Sequence, residues 1–235
     1  MAHRGAGKLA PENTLAAFRA GARHGYRMFE CDVKLSADGV PFLMHDATLE
    51  RTTSGTGIGG DHDWGALAQL DAGGWHSPAY AGEPLATLEN VARFCLRNGC
   101  HLNIESKPTP GVERETGEAV AHHAARLWQG AVPPLLTSFE PDALRAAHAA
   151  QPELPRGLLL DHLWTGWLET ALTIDCVAVV CNHALWDKSS VIQAKSAGFR
   201  TLSYTVNDEW AAERLWALGT DGVITDRVDL FAPGL

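Results

Sequence analysis

Five side chains, His3, Glu30, Asp32, His45 and Glu105, are of the types needed to hold a hard divalent cation beside two proton-transfer groups. Carboxylate oxygens are the ligands Mg2+ and Ca2+ prefer, and no cysteine and histidine spacing typical of zinc accompanies them. Imidazoles titrate near neutrality, so two of them can serve as the base and the acid of a hydrolytic displacement. Such a set suits cleavage of a phosphate ester.

Glu30 and Asp32 lie in Met28-Phe29-Glu30-Cys31-Asp32-Val33, where acids alternate with apolar residues. That period of two puts both carboxylates on one face of a strand and Phe29, Cys31 and Val33 on the other. An Asp38-Gly39 step between apolar alternations follows, the pattern of a tight hairpin. With Asp38 and Gly39 as the loop residues, Asp32 is expected to face His45 directly, with Cβ atoms roughly 5 Å apart. A slip of one residue would put the two on opposite faces. Glu105 repeats the alternation in His101-Leu102-Asn103-Ile104-Glu105-Ser106-Lys107, which points an acid and a lysine the same way. A partly buried ion pair is the ordinary explanation for one such strand, but it must here explain the same pattern several times over.

These side chains must be positioned by a repeating order of strand and helix. Expected helices at Thr14–His24, Leu88–Asn98, Val191–Ala197 and Asp208–Leu218 run into Gly25, Gly99, Gly198 and Gly219. Short apolar runs lie between them at Pro134–Phe139, Arg156–Leu160, Val177–Cys181, Thr201–Val206 and Val223–Thr225. Together with the runs ending at Asp32 and Glu105 and a stub before His3, they are expected to close as an α/β fold, a (β/α)8 TIM barrel. Its active site would lie at the carboxyl ends of the strands, where His3, Glu30, Asp32 and Glu105 fall. The glycine-rich segment at about 47–86 breaks the rhythm. It is expected to form a small inserted subdomain after the second-strand hairpin, over the barrel mouth.

At 235 residues and 46% hydrophobic composition the chain can bury one large core, so a single domain over 1–235 is expected. No run approaches the roughly 18 apolar residues of a membrane span, and Met1-Ala2-His3-Arg4-Gly5 lacks a signal-peptide core, so a cytoplasmic location is expected. Five cysteines, an odd number set in apolar patterns, suit reduced core thiols better than a disulfide framework. A formal charge of -9 argues against nucleic acid or stable membrane association and points to a small-molecule partner held by local positive groups.

The motifs His3-Arg4-Gly5, Pro11-Glu12-Asn13-Thr14, Glu30-Cys31-Asp32-Val33, His45-Asp46, Leu49-Glu50-Arg51-Thr52-Thr53, Asn103-Ile104-Glu105-Ser106-Lys107, Ser138-Phe139 and Tyr204-Thr205-Val206-Asn207 follow one another over nearly the whole chain. In this order they resemble the glycerophosphodiester phosphodiesterase family. Gly7-Lys8-Leu9-Ala10 and Leu154-Pro155-Arg156-Gly157-Leu158 extend the likeness to its bacterial cytoplasmic members. The resemblance implies a barrel that binds one divalent cation, Mg2+ or Ca2+, and hydrolyses glycerophosphodiesters to sn-glycerol 3-phosphate and an alcohol. Carried over motif by motif, it implies Glu30, Asp32 and Glu105 as metal ligands and His3 and His45 as the catalytic acid and base in either order. It also implies Arg4 and Lys107 on the phosphate and Tyr204 near the glycerol. Relatives carry an apolar strand before the His-Arg-Gly motif. Met1 and Ala2 stand there in this chain, so either the native start lies further upstream or the first strand is a stub that holds His3 less firmly.

Two other readings fit less well. One is a related barrel phosphodiesterase acting on lysophospholipids or phosphoinositides, which the acidic composition disfavours. The other is a noncatalytic ligand-binding module of the same fold, which the presence of all five chemical side chains disfavours. Among the remaining polar residues, Asn13 is expected at or beside a helix N-cap and Arg51 in a salt bridge within the inserted segment.

Overall fold

The computed structural model describes residues 1–233; Gly234 and Leu235, the end of the expected domain, lie outside them. The alternating acids and apolar residues form β1 (Met28–Leu35), which pairs in parallel with β3 (His101–Ser106). The parallel ladder continues through β4 (Leu135–Ser138), β5 (Arg156–Leu160), β6 (Ala178–Asn182), β7 (Arg200–Tyr204) and β8 (Gly222–Val223). A short β2 (Pro41–Leu43) pairs antiparallel on the other side of β1. The helices are α1 (Leu15–Arg23), α2 (Trp64–Leu67), α3 (Leu88–Asn98), α4 (Glu113–Leu127), α5 (Pro141–Ala150), α6 (Trp167–Thr173), α7 (Lys188–Ser196) and α8 (Glu209–Leu218). Each crossover through α3 to α8 returns the chain to the next strand, which builds the expected TIM barrel.

Ala2 closes the ring. It bridges Phe29 of β1 and Thr225 just beyond β8, both in parallel. Ala2 N donates to the Met28 carbonyl at 2.9 Å, and His3 N donates to the Thr225 carbonyl at 3.0 Å. The stub is therefore paired on both sides, and the backbone that carries His3 is held by both of its neighbours.

Capping chemistry sets the helix ends. Thr14 accepts from Ala17 N to start α1, Thr87 and Asn90 form a reciprocal box on α3, and Asp208 accepts from Ala211 N to start α8. All four expected terminating glycines have positive φ. Outward-facing Phe29, Cys31 and Val33 share a core with Phe18 of α1 and Val91 of α3, and Leu158, Val179 and Cys181 share another with residues of α6 to α8. The five cysteines are free and buried. Inside the barrel, Leu159, Val180, Leu202 and Ile224 cluster as an apolar half. The acids of β1 and β3 occupy the other half.

The hairpin forms, but its register differs from the expectation by one residue. Val33 pairs with Leu43, Lys34 with Phe42 and Leu35 with Pro41, so Met44 and not His45 stands opposite Asp32. A two-residue loop of either favoured type would need positive φ at its first residue, Asp38. Gly39 alone has it, at 79°, and Ala37, Asp38 and Gly39 make a longer loop closed by Gly39 N on the Ser36 carbonyl. The Asp38 carboxylate accepts from Ser36 Oγ and from Trp64 N of α2, which fixes that longer turn. β2 stops at Leu43, and the bend through Met44 to Asp46 brings His45 back to the mouth. Beyond it, residues 47–86 bury Leu49, Leu67, Ala72 and Leu85 against Phe42 and Met44, a satellite core apart from those of the barrel.

Candidate active site

β1 and β3 pair so that Glu30 lies beside Asn103 and Asp32 beside Glu105. Neighbours in a parallel ladder share a face, so all four point into the barrel. One oxygen from each of Glu30, Asp32 and Glu105 lies within 4.8 Å of the others, and all three residues are buried. Glu30 Oε1 is buried without a hydrogen-bond partner. A divalent cation would satisfy an orphaned carboxylate oxygen in such a trio, so these residues fit the ion that the resemblance implies.

The three acids are not electrostatically alike. Burial raises the Glu30 carboxyl above its ordinary value, and the charge of Asp32 adds to the effect. Glu105 is raised by the same two causes, against the pull of Lys107, whose Nζ donates to Oε1 at 2.9 Å. Burial works against ionisation of Asp32 as well, but Arg4, His45, Lys107 and the Asn13 amide hold it below the usual carboxylate value. Arg4 Nε stands 3.2 Å from Asp32 Oδ2, while Arg4 N donates to Glu30 Oε2 at 2.9 Å. Asn13 binds Asp32 twice: Nδ2 donates to Oδ2 at 2.8 Å, and Oδ1 accepts from Asp32 N at 3.1 Å. Asn13 is next to the α1 cap, Thr14, as expected, but its side chain serves the acid and not the helix.

Each of the two imidazoles has a carboxylate on Nδ1. His3 Nδ1 lies 2.6 Å from Asp226 Oδ1, and His3 Nε2 lies 3.8 Å from Glu30 Oε2. Burial lowers the basicity of His3, but Asp226 and Glu30 outweigh it and the ring ends above its ordinary pKa. His45 Nδ1 lies 2.7 Å from Asp46 Oδ1; burial dominates there and leaves the ring below its ordinary value, despite Asp32 and Asp46. With Nδ1 engaged, Nε2 of each ring is the atom left for chemistry.

The two rings line one cleft of about 160 Å3 together with Arg4, Glu30, Glu105, Lys107 and Tyr204, while Asp32 sits behind the lining. Thus seven of the eight expected site residues surround the opening and the eighth supports it. Phe139, Leu159 and Ile224 complete an apolar wall. Phe139 is edge-on to Tyr204 at 5.6 Å between centroids and carries Lys107 Nζ over its ring at 5.3 Å. Tyr204 Oη donates to the Leu160 carbonyl at 3.0 Å, so its phenol is committed and its ring faces the cleft.

Asp226, Asp46, Glu12 and Lys34 were not foreseen as parts of the site. Asp46 follows His45 directly, which was a usable signal. Lys34 falls on the acid face of β1, also readable from its period, and donates from Nζ to the Lys107 carbonyl at 2.9 Å; burial lowers it to about 8. Asp226 has no local signal, and Glu12 is marked only by its place in the Pro11-Glu12-Asn13-Thr14 motif. Arg51 departs from its expected place, since its partners Asp46 and Glu12 both lie outside residues 47–86.

Residues 3–230 match the Glycerophosphoryl diester phosphodiesterase family. A glycerophosphodiester phosphodiesterase of Caldanaerobacter subterraneus is 32% identical over 231 residues, covering 96% of this chain and 93% of the relative. One of Bacillus subtilis is 31% identical over 248 residues, covering 98% and 84%. The structure of an Oleispira antarctica phosphodiesterase in complex with the product sn-glycerol-3-phosphate superposes with a TM-score of 0.91 at 37% identity, covering 96% of this chain and 91% of that one. Fold, cleft and near-full-length likeness agree, and the chain belongs to the glycerophosphoryl diester phosphodiesterase family.

Proposed function

We propose that the protein hydrolyses glycerophosphodiesters to sn-glycerol 3-phosphate and an alcohol, with one divalent cation, Mg2+ or Ca2+, held by Glu30, Asp32 and Glu105. The observation that carries this reading is the convergence of His3 and His45, each braced at Nδ1, on the cleft that Glu30 and Glu105 line with Asp32 behind them. The product bound by the Oleispira antarctica relative supports the glycerol phosphate half. When bound, the cation would screen charge on the phosphoryl oxygens and orient the substrate.

The chain's own residues supply the rest. Arg4 and Lys107 offer positive charge to the phosphate from the rim of the cleft. One imidazole takes the proton from the attacking oxygen at Nε2. The other delivers a proton to the departing alkoxide, each contributing about 10²- to 10⁴-fold. The attacking oxygen belongs either to water or to the neighbouring glycerol hydroxyl, in which case a cyclic phosphate forms and water then opens it. Tyr204 and Phe139, which line the cleft, would pack beside the carbon skeleton of the glycerol. Residues 47–86 act as the inserted unit beside the mouth. Among the described residues no helix is long and apolar enough to cross a membrane. Free, buried thiols suit a reducing, cytoplasmic setting.

The test is cation-dependent release of glycerol 3-phosphate from glycerophosphocholine, glycerophosphoethanolamine and a lysophospholipid, with a chelator control. Turnover of the first two, lost with chelator and in His45→Ala, is expected. Preference for the lysophospholipid would move the assignment to the related phosphodiesterase, and tight binding without turnover would reduce the protein to a binding module.

A further inference from the structure

A chain of alternating charge joins the two rims of the cleft, and the proposed reaction makes no use of its middle. Asp46, which holds His45 Nδ1 at 2.7 Å, accepts from Arg51 Nε and, at 3.0 Å, from Arg51 Nη2. The other edge of that guanidinium donates to Glu12, from Nη1 to Oε2 at 2.9 Å and from Nη2 to Oε1 at 2.8 Å. Glu12 Oε1 also accepts from Arg4 Nη1 at 2.8 Å. The sequence His45, Asp46, Arg51, Glu12, Arg4 therefore runs from a proton-transfer group to a phosphate-facing cation.

Arg51 has no evident structural duty that would explain this arrangement. Its side chain is 44% exposed, and ion pairs that open to water add little to stability. Its backbone is nevertheless well fixed. Leu49 is buried in the satellite core, and Thr53 Oγ1 donates to the Leu49 carbonyl at 2.7 Å. A planar guanidinium can bind one carboxylate along each of two edges at a set angle, which an ammonium cannot. Asp46 and Glu12 sit on those two edges.

We propose that Arg51 is a positioning residue that sets His45 and Arg4 relative to each other, orienting the imidazole through Asp46 and the guanidinium of Arg4 through Glu12. The inserted segment thereby becomes part of the catalytic apparatus without touching substrate. The inference rests on the acid–base reading of His45.

Arg51→Lys keeps the charge without the fork, and Arg51→Gln keeps neither. With the divalent cation supplied and glycerophosphocholine as substrate, kcat/KM is expected to fall up to about 10²-fold in Arg51→Gln, with little rescue in Arg51→Lys. The melting temperature should move by no more than about 4 °C in either. Asp46→Asn should act chiefly on kcat and Glu12→Gln chiefly on KM, and Arg51→Gln should show both effects. The ¹⁵N resonances of the His45 ring supply a readout without turnover: Arg51→Gln should change the balance between its two nitrogens, in the cation-free protein as well. Full activity in Arg51→Lys, or activity lost in Arg51→Gln merely in proportion to folded protein with the His45 resonances unmoved, would overturn the positioning role. A wild-type protein inert toward every glycerophosphodiester would overturn the proposed reaction instead, and the ring resonances would still decide whether Arg51 orients His45.

Discussion

Asp226 Oδ1 lies 2.6 Å from Nδ1 of His3, although 223 positions of chain separate the two residues. The contact exists because Ala2 bridges Phe29 of β1 and Thr225 just beyond β8, which brings the segment after β8 alongside the amino terminus. Asn207 Nδ2 donates to the other oxygen, Asp226 Oδ2, at 2.9 Å and so fixes the carboxylate. Asp226→Asn is expected to lower kcat about 10²-fold while KM changes little, since the amide neither selects the tautomer nor stabilises the charged ring. Steady-state kinetics with the cation supplied are the check, and an unchanged kcat would mean that the backbone alone orients His3.

A second expectation concerns the acid trio. With the ion at about a hundred times its Kd, binding to the folded state is expected to add ~2.7 kcal/mol. For a chain of this size that raises the melting temperature by roughly 5–10 °C. Chelator should reverse the rise together with turnover, and Glu105→Gln should abolish both. Scanning calorimetry with Mg2+, Ca2+ and chelator decides it; a melting temperature indifferent to all three would leave the trio without an ion.

Two glycines separate stability from function. An added Cβ at Gly117 would stand 2.0 Å from the Ala143 carbonyl oxygen, where α4 meets α5, and one at Gly7 would stand 2.2 Å from Asp226 Cα. Alanine at either overpacks a close approach, at a cost of about 1–3 kcal/mol. Gly117→Ala is expected to melt earlier but keep its kcat. Gly7→Ala should lose both, because the displaced backbone carries the partner of His3. Thermal melts paired with kcat per folded molecule test the contrast, which fails if the two variants behave alike.

The thiols set an alkaline limit. Burial pushes Cys95, Cys176 and Cys181 up to about 12 and raises Cys31 well above its ordinary value. In the unfolded chain such groups ionise near ~8.5. Between about 9 and 12 the folded state thus holds protons that the unfolded state has released, and stability falls as pH rises. Below pH ~8 the thiols are protonated in both states and contribute no slope. Urea midpoints should be flat in this respect from pH 7 to 8 and fall from 9 to 10, while iodoacetamide at pH 8 should label the native protein far more slowly than the unfolded one. Rapid native labelling would contradict the buried, neutral state.

Much of the fold is legible in the sequence alone. Thr14 and Asp208 announced helix starts, and Gly99 and Gly219 announced helix ends, because capping is settled within a few residues of backbone. The hairpin at Asp38 is legible in the sequence, but its register is not. That turn is decided by a hydrogen bond from Trp64 N to Asp38, a contact from the inserted segment that no local propensity encodes. Distance along the chain suggests a partner for Arg51 within its own segment, whereas its partners come from the β2 exit and the loop before α1.

By itself the sequence determined which side chains share a strand face. Glu30 with Asp32, and Asn103 with Glu105, follow from the two-residue period of an extended backbone, which requires no knowledge of neighbours. What tertiary structure alone decided is how those faces meet. Asp226 reaches His3, Asn13 reaches Asp32 and Glu12 joins Arg4 to Arg51 through ring closure and loop packing. Such contacts carry no periodic signature, because the chain entropy lost in closing them is repaid by the burial of the whole barrel and not by any residue near them in sequence.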